Sequence, residues 1–491
     1  MNSNDIKRFI QKKQNFWFVT IGVGVLVLLL VNINGWQLED DEGTALYAIW
    51  RFAEGEKPYI DFASTKAPLY LLIGKYAVQL VGNDLLLLRL FSAFSIAFAL
   101  GTLAWVIKPV YGSLAAFTFW CWTILTPEIY HLARLFRTDS LMLLFLFLAL
   151  AALFYFTQNK HRVSLIGSGF FFGAALLCKI LTIMPLLGGG LWLALFAWQR
   201  RGWQKGLGDL LTFSISVIGF GGMGYILTEW LAPGSISYVL GSPGEYSLPI
   251  FLRIAKGIVG WLFFLLYNPL ILFAVLSLIF FTRKQFEKPE NQFWLAQIIG
   301  SAPFFLISGP PYSRYLAYVI PSLIILLLLN IVSIKERFLK QQYAFPSFAL
   351  LLIIAIPLFM GFPSRHLLLN SESDTQELAA WIAAHTGPDD VVVSDYAELN
   401  FHAGRRSIPK QGVISNNWAR TELVTGELLK TQMEVTEARL VLLHVPGGTQ
   451  APDHMFHMVD YDEFRAYLQQ KFTLVMVFDR AGQQIEVYQR P

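Results

Sequence analysis

Residues 36–50 read WQLEDDEGTALYAIW, and they come just after the apolar run FWFVTIGVGVLVLLLVNIN at 16–34. That run is long enough to cross a bilayer, which needs about 20 residues of helix. Consecutive carboxylates, among them Asp40, Asp41 and Glu42, stand where the chain leaves it. Carboxylates repel one another and gain nothing from a lipid boundary. The stretch therefore predicts a site at the membrane surface, where cations from other loops or a polar substrate make these charges tolerable.

The composition of the chain is that of a polytopic membrane protein. Of its 491 residues, 55% are hydrophobic and 15% are charged, with a mean hydropathy of +0.49. A soluble domain usually carries about 25% charged residues. The net charge of +4 gives no support to nucleic-acid binding. The cysteines, Cys121 and Cys178, lie far apart in apolar segments, which argues against a disulfide framework.

Runs of apolar residues predict about eleven transmembrane helices, the first of which we expect to stay in the protein because no small-residue cleavage site follows it. The predicted spans are 16–35, 84–107, 113–126, 139–157, 164–178, 180–198, 208–230, 255–281, 292–308, 315–333 and 345–361. The predicted fold class is thus mainly α, with a membrane domain over residues 1–361.

The positions of lysine and arginine predict the orientation of these spans, because basic loops stay in the cytoplasm. The basic residues of alternate loops all fall on one side of the membrane when the predicted spans are drawn. They are Lys7, Arg8, Lys12, Lys13, Lys160, Arg162, Arg200, Arg201, Lys205, Arg283, Lys284, Lys288, Lys335, Arg337 and Lys340. We expect a multi-pass protein of the cytoplasmic (inner) membrane, with its N-terminus in the cytoplasm and its C-terminal domain outside.

The first outer loop, residues 36–83, contains two segments of helical character. In residues 42–54, apolar side chains recur at helical spacing, which predicts an amphipathic helix in the membrane interface: Ala45, Ile49 and Phe52. The segment EKPYIDF (56–62) predicts a turn. The segment APLYLLIGKYAVQLVG (67–82) is apolar but short, and we interpret it as a second helix along the membrane surface.

After residue 361 the composition becomes that of a soluble domain. The segment SESDTQELAAWIAAHTGPDD (371–390) predicts a capped helix that ends at a Gly-Pro pair. Strands are predicted at 391–395, 439–445, 472–479 and 484–489, with helices near 419–434 and 460–470. We expect residues 362–491 to form a small extracytoplasmic α/β domain.

Charged side chains at the outer face are the candidates for chemistry. A charge inside the bilayer costs about 2.5–3.5 kcal/mol on insertion scales, and those that persist are usually functional. The candidates are Asp41, Glu42, Lys57, Asp61, Lys66, Arg134, Arg137, Asp139, Lys179, Glu245 and Arg314. Taken singly, each could instead be an interfacial anchor or a solvated loop charge.

Four motifs, in this order, give the chain a family resemblance. They are DDEGTALYAIW (40–50), GEKPYIDFASTKAPL (55–69), ARLFRTD (133–139) and SRYLAYVIP (313–321). Together they resemble the GT-C glycosyltransferase superfamily, in particular its branch of bacterial lipid A aminoarabinose transferases and protein O-mannosyltransferases. The resemblance covers nearly the whole chain, and it implies the GT-C fold with an extracytoplasmic tail domain.

In that family the sugar arrives on a polyprenyl phosphate outside the cytoplasmic membrane. The resemblance implies that Asp41 activates the acceptor hydroxyl and that Asp139 is the second acidic residue of the site. Lys66 takes the place of the lysine in the family's Lys-Pro-Pro-Leu motif, and Arg314 that of a late arginine. Thr65 stands where the aminoarabinose transferases have an acidic residue that helps hold a metal. We assign no metal ligand, and a divalent metal cofactor stays an open alternative.

The same residues suit sugar transfer on chemical grounds alone. A hydroxyl needs a base to attack, and crowding by Asp40 and Glu42 is expected to raise the pKa of Asp41 and strengthen it as a base. Lysine and arginine stabilise a leaving phosphate. We predict catalytic roles for Asp41, Glu42 and Asp139, donor-phosphate contacts from Lys66, Arg314, Lys179 and Arg137, and substrate contacts from Tyr59, Glu245 and Tyr315. A single base with no carboxylate nucleophile implies inversion at the sugar carbon.

The predicted function is transfer of a sugar from a polyprenyl-phosphate donor to a hydroxyl or phosphate of a glycan, glycolipid or protein acceptor, among membrane lipids. A transporter or flippase for a lipid-linked sugar is one alternative, but it needs two related halves with broken helices, and the sequence contains no such repeat. A non-catalytic assembly subunit is another, and it has no need of Asp41. The tail segment FHAGRRS (401–407) could bind an acceptor phosphate or form a turn with solvated arginines.

Labelling of single cysteines tests the predicted orientation. In a chain whose Cys121 and Cys178 are replaced by alanine, Gln285→Cys should react with a membrane-impermeant maleimide only from the cytoplasm. Gln450→Cys should react only from outside. Outside labelling of position 285 would show that the predicted set of spans is wrong.

Overall fold

The structure is a computed structural model of the chain. It describes residues 3–34, 40–240, 249–267, 269–307, 313–338, 374–445, 454–480 and 483–491. The statements below concern these residues.

The part of the chain up to residue 338 is helical. Its helices are α1 (Ser3–Leu30), α2 (Asp40–Ala53), α3 (Pro68–Val81), α4 (Leu85–Tyr111), α5 (Ser113–Leu125), α6 (Pro127–Ala133), α7 (Thr138–Asn159), α8 (Arg162–Cys178), α9 (Ile183–Phe196), α10 (Trp203–Val217), α11 (Met223–Leu231), α12 (Ser235–Leu240), α13 (Ile250–Tyr267), α14 (Pro269–Ser277), α15 (Arg283–Phe286), α16 (Pro289–Ile307) and α17 (Ile320–Phe338).

Several of these helices match predicted membrane spans. In the described chain, four stretches are long and apolar enough to cross a membrane: Leu85–Tyr111, Thr138–Asn159, Ile180–Arg201 and Trp203–Leu231. Shorter apolar helices fall on other predicted spans: Phe18–Leu30, Ser113–Leu125, Arg162–Cys178 and Ile320–Asn330. The predicted span 345–361 lies outside the described residues. The apolar helices are those of a multi-pass membrane protein, while the total of about eleven spans stays a prediction.

Helix α7 lies at the centre of the helical core. It is apolar on every side, as expected for a helix that other helices surround, and it packs against α4 and α8. Phe154 of α7 lies against Phe293 and Trp294 of α16, with ring centroids 5.4 Å apart in both pairs. The first turn of this central helix contains Asp139, so the packing of α7 fixes that carboxylate at one end of the core.

Helices α2 and α3 occupy the two helical segments predicted in the first loop, but α2 is not an interfacial helix with a wet face. Every side chain from Ala45 to Arg51 is buried. On one side Ile49 packs against Gly74 of α3, and on the other α2 contacts a helix of the tail. The interfacial prediction for residues 42–54 is wrong, because the tail covers the face that the sequence pattern assigns to water.

The tail combines a small sheet with short helices. The helices are α18 (Asp374–His385), α19 (Ala397–Ala403), α20 (Asn416–Arg420), α21 (Gly426–Val435) and α22 (Tyr461–Lys471). The strands are β1 (Val392–Ser394), β2 (Leu440–His444), β3 (Thr473–Arg480) and β4 (Gln483–Gln489), each at a position predicted from the sequence. The predicted domain border between residues 361 and 362 lies outside the described residues.

The sheet has the strand order β1-β2-β4-β3. β1 and β2 are parallel, with Val393 opposite Val441, and a parallel pair needs a long crossover. Helices α19, α20 and α21 form that crossover. β2 and β4 are antiparallel, with Val441 opposite Tyr488, and β4 pairs with β3 in the same sense. β1 and β2 are fully buried, and the crossover helix α19 contacts α2.

Helices α9 and α16 cross at a point where only glycine fits. A Cβ on Gly188 would lie 2.7 Å from the Cα of Gln297, and a Cβ on Gly300 would collide with backbone atoms of Gly188. Small residues let membrane helices approach closely in this way. Backbone cannot move aside as a flexible side chain can, so this crossing is specified by the two glycines.

The crossing is tested by Gly300→Ala, which should lower the free energy of unfolding by about 1–3 kcal/mol, the usual cost of overpacking. The matched control is Gly190→Ala in α9, where no described atom lies within 4 Å of an added Cβ. Tryptophan fluorescence of the purified protein in detergent would give both melting temperatures. Equal melting temperatures for the two variants would contradict the close crossing.

Candidate active site

Asp41 and Glu42 diverge from the start of α2. Neighbouring residues of a helix point about 100° apart, so two adjacent carboxylates cannot face the same partners. Asp41 is 43% exposed and lies among cations, whereas Glu42 is fully buried on the other side of the helix. The two carboxylates of this acidic stretch therefore lie in two different environments.

Asp41 lies within ion-pair distance of three cations that come from three separate parts of the chain. Its Oδ2 accepts hydrogen bonds from Nη2 of Arg137 at 2.7 Å and from Nη1 of Arg314 at 2.5 Å. Nζ of Lys66 lies 3.9 Å from Oδ1. Arg137 precedes α7, Arg314 lies in the 3-10 turn Ser313–Tyr318, and Lys66 precedes α3. The structure therefore brings together four of the predicted site residues.

Asp139 belongs to the same cluster but lies deeper. Its side chain is 1% exposed, and its Oδ1 accepts a hydrogen bond from Nζ of Lys179 at 2.6 Å. Nε of Arg137 lies 3.7 Å from the other carboxylate oxygen. Arg137 thus joins Asp41 to Asp139, and the predicted common site of the two carboxylates is present in the geometry. We call Asp41, Asp139, Lys66, Arg137, Lys179 and Arg314 the charge cluster.

The expected rise in the pKa of Asp41 is wrong. Burial raises the pKa of this carboxyl, but the cations around it, Lys66 first and then Arg137 and Arg314, lower it further than burial raises it, to well below the ordinary value. The predicted rise in pKa rested only on the acidic residues adjacent to Asp41 in the sequence. Glu42 points away from the cluster, and the cations arrive from residues far away in sequence.

Lys66 is held by a strained turn. The hydroxyl of Tyr59 donates a hydrogen bond to the carbonyl of Lys66 at 2.5 Å. Tyr59 has φ 68°, a left-handed conformation that costs a residue with a side chain about 1–3 kcal/mol. The turn is closed by the amide of Lys57, which donates to Asp61 at 2.7 Å. The geometry gives Tyr59 a role in positioning Lys66, and its predicted contact with substrate stays a prediction.

Tyr315 lies between two cations of the cluster. Nζ of Lys179 is 5.6 Å from the centroid of its ring, and the guanidinium carbon of Arg314 is 5.7 Å away. On its other side the ring stacks on Tyr318 at 6.2 Å. Tyr315 thus lies at the edge of the cluster, and its predicted contact with substrate stays a prediction. Glu245, the third residue predicted to contact substrate, lies outside the described residues.

Glu42 forms a buried ion pair that the sequence reasoning missed. Its carboxylate accepts hydrogen bonds from Nε and Nη2 of Arg89 in α4, at 3.1 and 2.6 Å, and from the amide of Phe136 at 2.8 Å. Both side chains are fully buried. The structure gives Glu42 a role in packing α2 against the core in place of the predicted catalytic role. A lone arginine within the apolar run LLLLRLF was the signal for its partner.

The arginines of FHAGRRS have structural contacts. Arg405 donates to Oγ1 and the carbonyl of Thr386, both at 2.8 Å, and to the carbonyl of Ala383 at 2.9 Å. It therefore closes the C-terminal end of α18 and is not a solvated turn residue. Arg406 lies 3.5 Å from Glu56 of the first loop. These contacts do not form a phosphate clasp.

The carboxylates of the charge cluster are the side chains that bear on a metal cofactor. Among the described residues, no three His, Cys, Asp or Glu side chains come together as metal ligands. Asp41 and Asp139 are both paired with cations, which would repel a divalent ion. The divalent metal stays an untested alternative.

A family profile matches part of the chain that includes four of the six residues of the charge cluster. Residues 65–225 match the family described as dolichyl-phosphate-mannose-protein mannosyltransferase. This range contains Lys66, Arg137, Asp139 and Lys179. No curated protein sequence gives a significant match.

Solved structures share the fold over nearly the whole chain. ArnT from Cupriavidus metallidurans in the apo state has a TM-score of 0.65, with 16% identity over 98% of this chain and 98% of that chain. The same protein bound to undecaprenyl phosphate has a TM-score of 0.65, with 15% identity over 97% and 98%. An oligosaccharyltransferase of Archaeoglobus fulgidus in the apo form has a TM-score of 0.55, with 13% identity over 87% of this chain and 69% of that chain.

These findings confirm the resemblance to the GT-C glycosyltransferases that the four motifs predicted. The family profile over residues 65–225 indicates glycosyltransferase activity, and the solved structures show that the fold is shared. The number of spans, the domain border and the role of each site residue stay predictions.

Breaking the pair of Glu42 and Arg89 should destabilise the protein. Glu42→Ala leaves the arginine charged and buried, a change that commonly costs about 3–5 kcal/mol. The matched control is Glu287→Ala, which removes an exposed carboxylate 3.1 Å from Arg283 and should cost about 0–1 kcal/mol. Melting temperatures in detergent compare the two, and an unchanged value for Glu42→Ala would contradict the packing role.

Proposed function

We propose that this chain, a membrane glycosyltransferase of the GT-C superfamily, transfers a sugar from a polyprenyl-phosphate donor to a hydroxyl or phosphate of an acceptor. The observation that carries the proposal is the charge cluster, in which one exposed carboxylate lies among cations at the ends of apolar helices. Such a transfer needs a base for the acceptor and cationic ligands for the donor phosphate.

The charge of the cluster suits a phosphate whose negative charge grows during the reaction. Four cations, Lys66, Arg137, Lys179 and Arg314, less the two carboxylates leave a net charge of +2. A lipid-phosphate-sugar is a diester with about one negative charge, and the released lipid phosphate carries about 1.5 to 2. Fixed cations therefore stabilise the leaving group more than the bound donor, which is the condition for lowering the barrier.

The position of the cluster suits a donor that stays in the membrane. Asp139 lies in the first turn of α7 and Lys179 directly after α8, so the cluster lies where apolar helices begin and end. A polyprenyl tail could lie beside these helices while its phosphate reaches the cations. The relatives of the same fold support this choice of donor, since ArnT is known bound to undecaprenyl phosphate and AglB from Archaeoglobus fulgidus bound to a dolichol-phosphate.

Asp41 is the better candidate for the base. Its carboxylate is 43% exposed, whereas that of Asp139 is 1% exposed and bonded to Lys179. An acceptor group must reach the base directly or through one water. We therefore assign proton removal to Asp41, and to Asp139 the task of holding Lys179 and Arg137 in place for the phosphate.

The donor itself would strengthen Asp41 as a base. In the structure Arg314 and Arg137 donate to Asp41 and keep its pKa low, which weakens it as a base. A donor phosphate would draw on the same guanidinium groups, because arginine binds phosphate with two parallel hydrogen bonds. Each hydrogen bond transferred to the phosphate raises the proton affinity of Asp41. The base would thus be activated only when a donor is in place.

The bond changes follow from this arrangement. The acceptor oxygen attacks the anomeric carbon as its proton passes to Asp41. The bond from that carbon to the phosphate oxygen breaks, and the electron pair leaves with polyprenyl phosphate, next to Arg314 and Lys66. With one accessible carboxylate acting as base, the displacement is direct and inverts the sugar carbon. The reaction takes place on the outer face of the cytoplasmic membrane, with a glycan, glycolipid or protein as acceptor.

Replacing the base should separate chemistry from donor binding. Asp41→Asn keeps the shape of the side chain and removes its basic oxygen, so transfer in a single turnover should fall by roughly 10²–10⁴. Donor binding should hold or tighten, since the cations remain and the carboxylate of Asp41 no longer competes for them. Transfer at the parent rate would exclude Asp41 as the base and direct attention to Asp139.

Removing a phosphate ligand should have a different effect. Arg314→Ala should weaken donor binding and slow transfer together, because loss of one partner of a buried charge pair commonly costs about 2–5 kcal/mol. The matched control is Lys57→Ala, which removes an exposed cation of the loop that carries Lys66. Equilibrium binding of labelled donor to both variants is the measurement, and equal affinities would exclude Arg314 as a phosphate ligand.

A further inference from the structure

The tail contacts helix α2 at Gly43, two residues after Asp41. A Cβ on Gly43 would lie 2.5 Å from Cβ of Glu398 and 3.2 Å from its Cα. Glu398 belongs to α19 and is buried, with 1% exposure. Real side chains do not approach so closely, so α2 and α19 are at the distance that only glycine at position 43 permits.

Apolar packing continues the same contact. Ala397 and Phe401 of α19 are buried in the hydrophobic core of the membrane helices, together with Ala45 and Ile49 of α2. The remaining core residues of the tail form separate clusters around its sheet. Helix α19 is therefore the part of the tail that inserts into the core of the membrane helices.

Further tail contacts fall on the same loop. The amide of Ala63 donates to the carbonyl of Pro409 at 2.8 Å, and Nη1 of Arg51 donates to that of Ile408 at 3.4 Å. A Cβ on Gly412 would lie 2.6 Å from the carbonyl oxygen of Ala63. These contacts lie between Asp41 and Lys66, so the tail covers the segment that supplies two members of the charge cluster.

Two partners of Asp41 come from elements other than α2. Arg137 lies before α7 and Arg314 in the turn Ser313–Tyr318, both outside the loop that the tail covers. A shift of α2 would move the base relative to the cations that hold the donor. A displacement of about 1 Å at a reacting group can lower the rate by roughly 10²-fold.

We propose that α19 is a positioning element for the reaction: its contact at Gly43 sets the place of α2, and hence of Asp41, relative to the donor held by Arg137 and Arg314. Gly43 and Glu398 are then positioning residues that touch no substrate. This inference rests on the proposed function, because it assigns a consequence for transfer to a contact between two parts of the fold.

The test is Gly43→Ala in the full chain. Alanine favours helix over glycine, so a loss of activity cannot come from a weaker α2. We expect the added methyl group to push α2 from α19 and to lower kcat about 10- to 100-fold. The KM for donor should change far less, since Arg137 and Arg314 stay in place. The matched control is Gly24→Ala in α1, where no described atom lies within 4 Å of an added Cβ.

Removing the opposing side chain should restore activity. Glu398→Gly takes away the Cβ and the carboxylate that the methyl group would meet and leaves only the Cα, 3.2 Å away, so Gly43→Ala combined with Glu398→Gly should regain most of the kcat of Glu398→Gly alone. The rescue assigns the loss to this contact, and a lowered kcat at an unchanged melting temperature distinguishes positioning from a weakened fold. If Gly43→Ala does not fold, the double variant is still expected to fold and to transfer sugar.

The outcomes separate the inference from the proposed function. If the parent chain transfers sugar and Gly43→Ala does so at the same kcat, the positioning role is overturned while the function stands. A double variant that remains inactive or unfolded, although Glu398→Gly alone is active, also overturns it. A third outcome is that the parent chain transfers no sugar from a polyprenyl-phosphate donor, while its melting temperature falls with Gly43→Ala and recovers in the double variant. This outcome would overturn the proposed function and retain only the contact.

Discussion

Asp41 is hydrogen-bonded to two arginines that any phosphate in the site would also need. This shared use of the guanidinium groups connects the two tasks of the site, since the cations that would hold the donor also keep the carboxylate from acting as a base while the donor is absent. The arrangement needs one short helix, the residues just before α7 and the turn at Ser313–Tyr318 to keep their relative positions within a fraction of an ångström. Much of the structure around the site supplies that constraint.

Three different kinds of contact hold the short helix. Glu42 and Arg89 fix its first turn to α4 through a fully buried ion pair, which binds the two helices in one register because either charge alone would be costly there. Ile49 meets Gly74 of α3. From the other side, the tail packs on Gly43 with no space for a side chain. Adjacent carboxylates thus have unlike surroundings: Glu42 anchors the helix, and Asp41 faces the charge cluster.

Much of the site could be predicted from the sequence, because charges are rare in an apolar chain and the few that occur attract attention. Asp41, Lys66, Arg137, Asp139, Lys179 and Arg314 were found in this way, and they do lie together. The lowered pKa of Asp41 could not be predicted, because its nearest cation, Arg314, lies 273 residues away in sequence and no local sequence pattern identifies it. The burial of α2 was missed for a similar reason: an amphipathic pattern shows which face is apolar, but the partner on the other face came from the tail. The role of Arg89 was not predicted, because this residue lies within the predicted span 84–107 and the candidates were taken from charges at the outer face.

The measurement that tests the account most directly is an infrared difference spectrum of the full chain in lipid nanodiscs, with and without polyprenyl phosphate. Polyprenyl phosphate is the common product of the proposed transfer whatever the sugar, so the result does not depend on knowing the donor. If the phosphate draws Arg314 and Arg137 away from Asp41, the carboxylate stretch of Asp41 should shift on binding, and the shifted band should be missing in Asp41→Asn. Binding of polyprenyl phosphate with no band that depends on Asp41 would contradict the account, because the phosphate and the base would then not share their cations.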